Sequence, residues 1–503
     1  MDHTGTHQRT VLTLRMGFRS LAGACLGLAL AASACAAGAS DEASSSDELN
    51  APDPAAGWRF LANGPYIGCG IPKTVFDQLQ TGLDIPILGH VGRGLLDAIF
   101  PVLDGAETTA SQVPEREGDN ANLSYRFTAF KTARGNEVVN FTCLSCHTGV
   151  IEGKAIVGLG DTISDYTGDL AFASKTLETV TRFVGTDADR DEAAIFAQRF
   201  GAIAPYVRTS TVGVNSAVNL TYALIAHRDP KTLAWSDRAL MAPPPEESLP
   251  YDVPAWWHMK HRSTAFMSAE LKFHTGTLAL ASLLGTETVE QKRAWDNDFR
   301  NVEAFIRSVE PPPYPRAVNR ALADQGSVVY ERACASCHGT YGTNAAYKEA
   351  VYDVGTDPEA AKQELQESDR FYEWMNQSPY NSAPDKRMQA FSSPAKLGYL
   401  APPLEGVWAT APYFHNGSVP SMEAVLDSSK RPTSWTRFGQ RGRYDVENMA
   451  IGHVKALGKH TSFMPSKFVY DTRDVGYGNE GHTYGDALTD VERTAVIEYL
   501  KTL

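Results

Sequence analysis

The sequence predicts a mainly α-helical protein of two domains with long irregular loops. Three observations predict it. Trp295, Phe299, Val302, Ile306 and Val309 fall on one stripe of 3.6-residue period between about Thr288 and Val309, the mark of an amphipathic helix. The run Pro311-Pro312-Pro313-Tyr314-Pro315 stops that helix and makes a stiff extended linker. At the far end Thr489 and Glu492 have capping-box spacing, and Val491, Ala495, Val496, Tyr499 and Leu500 share a face.

Composition narrows the class. The 503 residues carry 46 Lys plus Arg against 59 Asp plus Glu, a net charge of −13, and 43% are hydrophobic. That is a globular chain long enough for two or three cores. An acidic surface gives no help with phosphate backbones, so nucleic-acid binding is not expected.

Arg9, Arg15 and Arg19 precede an apolar stretch from Leu21 to Ala32 and a small-residue end, the layout of a secretory signal at 1–34. Ala32-Ser33-Ala34-Cys35 also has a lipoprotein pattern, in which Cys35 would carry the lipid and supply the only membrane contact. Ordinary cleavage nearby would release a soluble protein instead. Either way a periplasmic or cell-surface location is expected. Residues 35–56, rich in Ala, Ser, Asp and Glu, read as a flexible tether. From there to Thr142 the pattern is irregular, punctuated by Gly64, Gly68, Gly70 and Pro72.

Of the seven cysteines, four form two identical patterns: Cys143-Leu144-Ser145-Cys146-His147 and Cys334-Ala335-Ser336-Cys337-His338. Two thiols three apart can each add to a haem vinyl group, and the adjacent imidazole then lies under the iron as proximal ligand. At this chain's Cys and His frequencies one chance match has a probability of about 0.0025. A thioredoxin-like pair needs no His and would sit in a βαβ context, which is missing. A zinc site would need both segments to meet in space. The spacing therefore predicts two covalently bound c-type haems. Short Gly326-to-Tyr330 helix, haem motif and a late amphipathic helix follow one another in the second half, and the first half has the last two. This order resembles a cytochrome c domain.

The resemblance sharpens at Leu404-Glu405-Gly406-Val407-Trp408-Ala409-Thr410-Ala411-Pro412-Tyr413-Phe414-His415-Asn416-Gly417-Ser418-Val419-Pro420. This loop resembles the aromatic-His-Asp/Asn-Gly loop of the di-haem cytochrome c peroxidases. Within that superfamily the chain is most similar to the rubber-oxygenase-type di-haem cytochromes, which are longer proteins. Pro254-Ala255-Trp256-Trp257, the wide separation of the motifs, and Gly481-His482-Thr483-Tyr484-Gly485 point the same way. The resemblance runs from about Gly57 to Leu503. It implies two cytochrome c-like haem domains, 57–310 and 311–503. Where the peroxidases place an axial Met, this chain has Ser429, a poor iron ligand. The resemblance then implies His482 as sixth ligand of the second haem, with Met464, His453 and His460 as rivals.

Other residues have two readings each. His415 lines a haem pocket or orients the turn before Gly417. Trp257, with Trp256, is an aromatic relay between haems or plain core. His258, His261 and His274, with Lys260 and Arg262, are propionate partners or a solvated basic face, the second being the commoner outcome. Cys69 is a reactive thiol or an inert buried one.

An iron with two protein ligands passes electrons, and one with a free axial position binds small oxidants. The resemblance implies one of each: a reactive haem on His147, with Trp257 and His415 nearby in catalysis, and a six-coordinate haem on His338 and His482. The expected function is an exported di-haem oxidoreductase that uses O2 or H2O2, with oxidative cleavage of an apolar organic substrate first among its reactions. Peroxide reduction with a redox protein partner, and electron transfer alone, are the alternatives.

Overall fold

The structure is a computed structural model and describes residues 51–503 except 87, 101–112, 270, 382–395, 438–442 and 460–464. The signal, most of the tether, and the rival ligands His460 and Met464 lie outside the described residues. Helix accounts for 44% and strand for 14%, so the fold is mainly α without being purely helical.

The first half contains α1 (Pro54–Asn63), α2 (Lys73–Thr81), α3 (Arg93–Ile99), α4 (Leu170–Val184), α5 (Asp187–Val207), α6 (Ala217–Ala226), α7 (Thr275–Ala279), α8 (Val289–Ala294) and α9 (Asp296–Ser308). The second contains α10 (Arg320–Ala333), α11 (Ala335–His338), α12 (Glu359–Gln377), α13 (Met422–Leu426) and α14 (Asp490–Leu500).

Helix α1 begins inside the stretch read as tether. Asp53 caps it by accepting the Ala55 N–H, Pro54 opens it, and its far end stops at Gly64, all local signals of a helix. Trp58 and Leu61 face inward from it. The helix read as continuous from Thr288 is two. Trp295, at φ −97° and ψ 1°, breaks it into α8 and α9. Helix α10 starts at Arg320, well before Gly326, with Asn319 capping the Leu322 N–H. The capping box of Thr489 and Glu492 is formed at α14, whose buried face is Ala495, Val496 and Leu500, while Val491 is exposed.

The same crossing occurs twice. Helix α1 packs on α9, and α10 packs on α14. At each crossing a glycine allows backbones to touch. A Cβ on Gly57 would collide with the Asn301 carbonyl, and one on Gly326 with the Ala495 carbonyl. In both halves, a helix N-terminal to the Cys-x-x-Cys-His motif is thus clasped by the helix that closes the half.

The motifs themselves sit differently. The second follows α10 directly. The first follows a strand, Glu137–Phe141, the centre of a three-stranded antiparallel sheet with Ile71–Pro72 and Phe127–Lys131. That strand buries Val138, Val139 and Asn140, and Thr142 after it caps the short turn Cys143–Ser145 that carries the motif. A second such sheet joins Ser434–Arg437 to His453–Lys455 and Val469–Asp471.

Two large apolar cores result, and they do not divide at the proline run. Phe371, Tyr372, Trp374 and Met375 of α12 pack in the core of the first half, whereas Trp257 packs in that of the second with Val407 and Trp408. Gly326→Ala must push α10 away from α14, at a cost of about 1–3 kcal/mol. Thermal unfolding of the holoprotein should show the loss; an unchanged midpoint would mean that the crossing is not tight.

Candidate functional site

Both motifs open on one chamber of about 530 Å3, walled by Cys146, His147, Cys334, Cys337, His338 and His482 among others. The four motif thiols are free.

In the first motif a buried pair shapes the loop. Arg126 Nη2 donates to Asp161 Oδ1 at 2.7 Å and its Nη1 to the Ser145 carbonyl at 3.1 Å, while the Asp161 N–H donates to the Cys146 carbonyl at 2.8 Å. Neither side chain reaches water. Cys146 Sγ lies 3.5 Å from the Tyr166 hydroxyl and accepts from Asn215 Nδ2 at 3.4 Å. The His147 ring stacks on Trp256, centroids 4.8 Å apart at 24°. Its Nδ1 is buried and lies toward the Pro254 carbonyl, short of a formed hydrogen bond. Burial pushes this imidazole down to about 4, so it is neutral at physiological pH.

The second motif repeats the theme. His338 Nδ1–H donates to the Pro402 carbonyl at 2.8 Å, which fixes the tautomer and leaves the Nε2 lone pair free. Tyr341 holds this seat from both ends, donating to the His338 carbonyl at 2.8 Å and accepting the Leu404 N–H at 2.6 Å. Facing His338 is His482, ring centroids 6.1 Å apart at 67°. Metal–nitrogen bonds of about 2 Å on each side of one ion would put two imidazole centroids about 6 Å apart.

His482 sits in the left-handed region at φ 44°, a conformation that a non-glycine residue keeps only when its surroundings impose it. Arg431 imposes it. Its guanidinium donates five hydrogen bonds to backbone carbonyls: Asn479, Gly481 and His482 on the His482 loop, and Ala424 and Val425 on α13. The His482 N–H donates to Val354 at 2.9 Å. Burial, helped by His338 and Arg431, brings the His482 imidazole down to about 4.

The rival His453 is on a strand, bonded to the Ile451 carbonyl and away from the chamber walls. His415 does line the chamber. Its ring stacks on Tyr399 at 3.6 Å and 12°, its Nε2 is buried without a partner among the described residues, and burial lowers it to about 3. Asp252, whose N–H donates to the His415 carbonyl, also lines the chamber, and burial raises its carboxyl well above the usual range.

Consecutive tryptophans face opposite ways. Trp256 meets His147, and Trp257, fully buried, donates from Nε1 to the Glu405 carbonyl at 2.7 Å. Cys69 is buried beside the Leu284 carbonyl, outside the chamber, with its thiol raised by burial, which suits the inert reading. Arg126, Asp161 and Arg431 escaped the sequence reading, because a charge that will be buried by distant segments carries no local mark.

These residues fit a covalent haem. The thiols are free, two neutral imidazoles face each other at a spacing that suits one ion, and each motif histidine is backed by a proline carbonyl. Among the described residues no three His, Cys, Asp or Glu side chains converge on a point.

Comparison with known proteins agrees. Residues 398–436, which include the Leu404–Pro420 loop and end on the Ser434–Arg437 strand, match the RoxA-like, cytochrome c-like family. The match supports a c-type cytochrome of the oxidoreductase kind, in the direction of the rubber-oxygenase-like di-haem cytochromes, and implies a c-type haem with its iron. The chain is also similar to two Sinorhizobium fredii proteins. It is 27% identical over 298 residues to uncharacterized protein y4iM, covering 50% of this chain and 64% of that one. It is 30% identical over 266 residues to uncharacterized protein y4iJ, covering 40% and 42%. The matches thus span less than two thirds of either relative.

Two expectations follow. Arg431→Met should cost at least about 2 kcal/mol in holoprotein stability, as five carbonyls lose a charged donor, and should broaden the spectrum of any metal bound by His482. An unmoved melting midpoint would refute the structural role. His258 and His415 are each held down to about 3 by burial, whereas unfolded histidine protonates near pH 6.5. Their stabilisation is complete above pH 6.5 and is lost as pH falls toward about 3, roughly 2 kcal/mol per residue by pH 5. Denaturant midpoints should fall over that range, less steeply in His415→Asn.

Proposed function

We propose that the protein is an exported di-haem c-type cytochrome oxidoreductase. One haem is held by Cys143, Cys146 and His147 and offers an open face to O2 or H2O2. The other is held by Cys334, Cys337, His338 and His482 and relays electrons. The observation that carries this reading is the asymmetry of the two histidines in one chamber. His338 faces the His482 imidazole at 6.1 Å, whereas among the described residues the ring contact of His147 is Trp256, stacked on its face.

A haem iron with a free axial position supplies binding and activation of small oxidants. The chain's own residues do the rest. Pro254 and Trp256 orient His147, and burial keeps it neutral and able to ligate. His415 Nε2, neutral and idle on the chamber wall, can exchange a hydrogen bond with a bound oxidant. Asp252, whose carboxyl burial raises well above the usual range, is a second polar group on the same wall. Val218, Phe266, Met267, Phe273, Leu278 and Leu400 line the chamber and exclude water, which suits an apolar organic substrate. Trp257 links the halves. Its hydrogen bond to Glu405 joins the segment that seats His147 to the one that seats His338, a short covalent and hydrogen-bonded route for electrons. Export with anchoring at Cys35 is part of this proposal; among the described residues no helix is long and apolar enough to cross a membrane.

Electron transfer alone is the second reading, because Met259 and Met267 also line the chamber and thioethers can close an iron. One experiment separates them. Protein extracted with acidified acetone should keep its colour, two haems per chain. CO added to the reduced protein should then perturb one haem in wild type and both in His482→Ala. If CO and cyanide leave both haems unmoved, the protein only transfers electrons. A colourless chain would end the haem reading altogether. Oxygen uptake with an apolar substrate, set against peroxide consumption with an electron donor, distinguishes oxygenase from peroxidase.

A further inference from the structure

The basic run from His258 to Arg262 is not a solvated face. Lys260 and His261 reach outward to Glu310 at 2.8 Å and Glu405 at 2.7 Å. His258 and Arg262 instead are buried and line the chamber.

Arg262 is the anomaly. Its side chain is 5% exposed. Its one hydrogen bond among the described residues runs from Nη2 to the Phe266 carbonyl at 2.7 Å, and its Nε is buried without a partner. Glu349 Oε1 lies 3.9 Å from Nε, an ion pair without a hydrogen bond that offsets part of the charge, and the Glu349 carboxylate already accepts from the N–H and hydroxyl of both Ser263 and Thr264. Other buried guanidiniums are better served: Arg126 and Arg199 also leave Nε without a partner, but each donates from both Nη atoms, one of them to a carboxylate. Arg228 donates to Leu233, Leu283 and Leu284 carbonyls, and Arg431 to five. Arg437 has an idle Nη1, but it does not line the chamber. A guanidinium is a planar fork of five donors matched to carboxylates. Burying one with so few acceptors is unfavourable unless an anion completes it, and burial indeed lowers its pKa here.

We propose that Arg262 is a carboxylate site in the chamber wall and that its occupant is a haem propionate. A carboxylate carried by a group already tethered in the same chamber has an effective concentration that a free anion cannot match. The inference rests on the haem reading above and not on oxidant chemistry.

The test is a spectroelectrochemical titration of both haems in the wild-type holoprotein, Arg262→Gln and Arg262→Lys. A cation paired with a propionate favours the reduced iron by offsetting negative charge. Arg262→Gln should therefore shift one midpoint potential downward and leave the other in place, with Arg262→Lys in between. Two unmoved potentials overturn the inference. If they are unmoved while added benzoate perturbs the spectrum of wild type and not of Arg262→Gln, the site takes a free carboxylate and the propionate is excluded. Should neither variant fold, resonance Raman on the unmodified protein decides. One propionate-bending band should hold its position from about pH 7 to pH 5, because an ion-paired carboxylate stays ionised; bands that all shift together reject the pairing. Protein without covalent haem would instead refute the functional reading, so the two failures differ.

Discussion

The Glu405 carbonyl accepts two hydrogen bonds from the first half of the chain, from Trp257 Nε1 at 2.7 Å and His258 Nε2 at 3.1 Å. The rest of the site hangs on that double contact. Two residues before Trp256 is the Pro254 carbonyl that backs His147, and three residues before Glu405 is the Pro402 carbonyl that seats His338. One buried carbonyl therefore fixes the register between the two motif histidines. Gly406, at φ 66°, has no Cβ because the Trp257 indole occupies that space. The chamber is the volume enclosed once these segments are locked together.

Positive charge inside an acidic protein is the second theme. Buried guanidiniums are spent on the backbone: Arg126 on the first motif, Arg228 on the loop at Leu283 and Leu284, Arg431 on the His482 loop. Each can serve several carbonyls at once because the guanidinium is planar and permanently charged, which makes it a brace for irregular chain where no ladder exists. Arg431 shows the reach of this device. It holds His482 in an unfavourable backbone conformation, and strain of that kind persists only where the surroundings over-determine it. Arg262 departs from the pattern: it lines the chamber, gives the backbone one bond, to Phe266, and keeps a buried Nε without a partner among the described residues.

What was legible in the sequence was local. The Cys-x-x-Cys-His spacing, the Thr489 capping box and the proline run encode themselves within a few residues; in the structure the capping box forms at α14, and α9 ends at Ser308 before the prolines. Helix α1 was equally legible, since Asp53, Pro54 and Gly64 mark both its ends, but the irregular stretch around it hid the signal. The break at Trp295 was not, because the apolar stripe continues across it.

Long-range placement was decided by tertiary structure alone. In the sequence only the resemblance around residues 481–485 set His482 apart from His453; in the structure the Arg431 brace and the approach of Gly355 to Gly481 hold its loop against His338. The run from His258 to Arg262 reads as a surface by composition, yet packing against Glu405 and Glu349 buries two of its members and leaves two outside. The sequence by itself determined the Cys-x-x-Cys-His spacing and the capped start of α14, because spacing and capping act over one or two turns. Which imidazole faces which, and which cation is shut away from water, depends on contacts between segments more than a hundred residues apart, and no local pattern contains them.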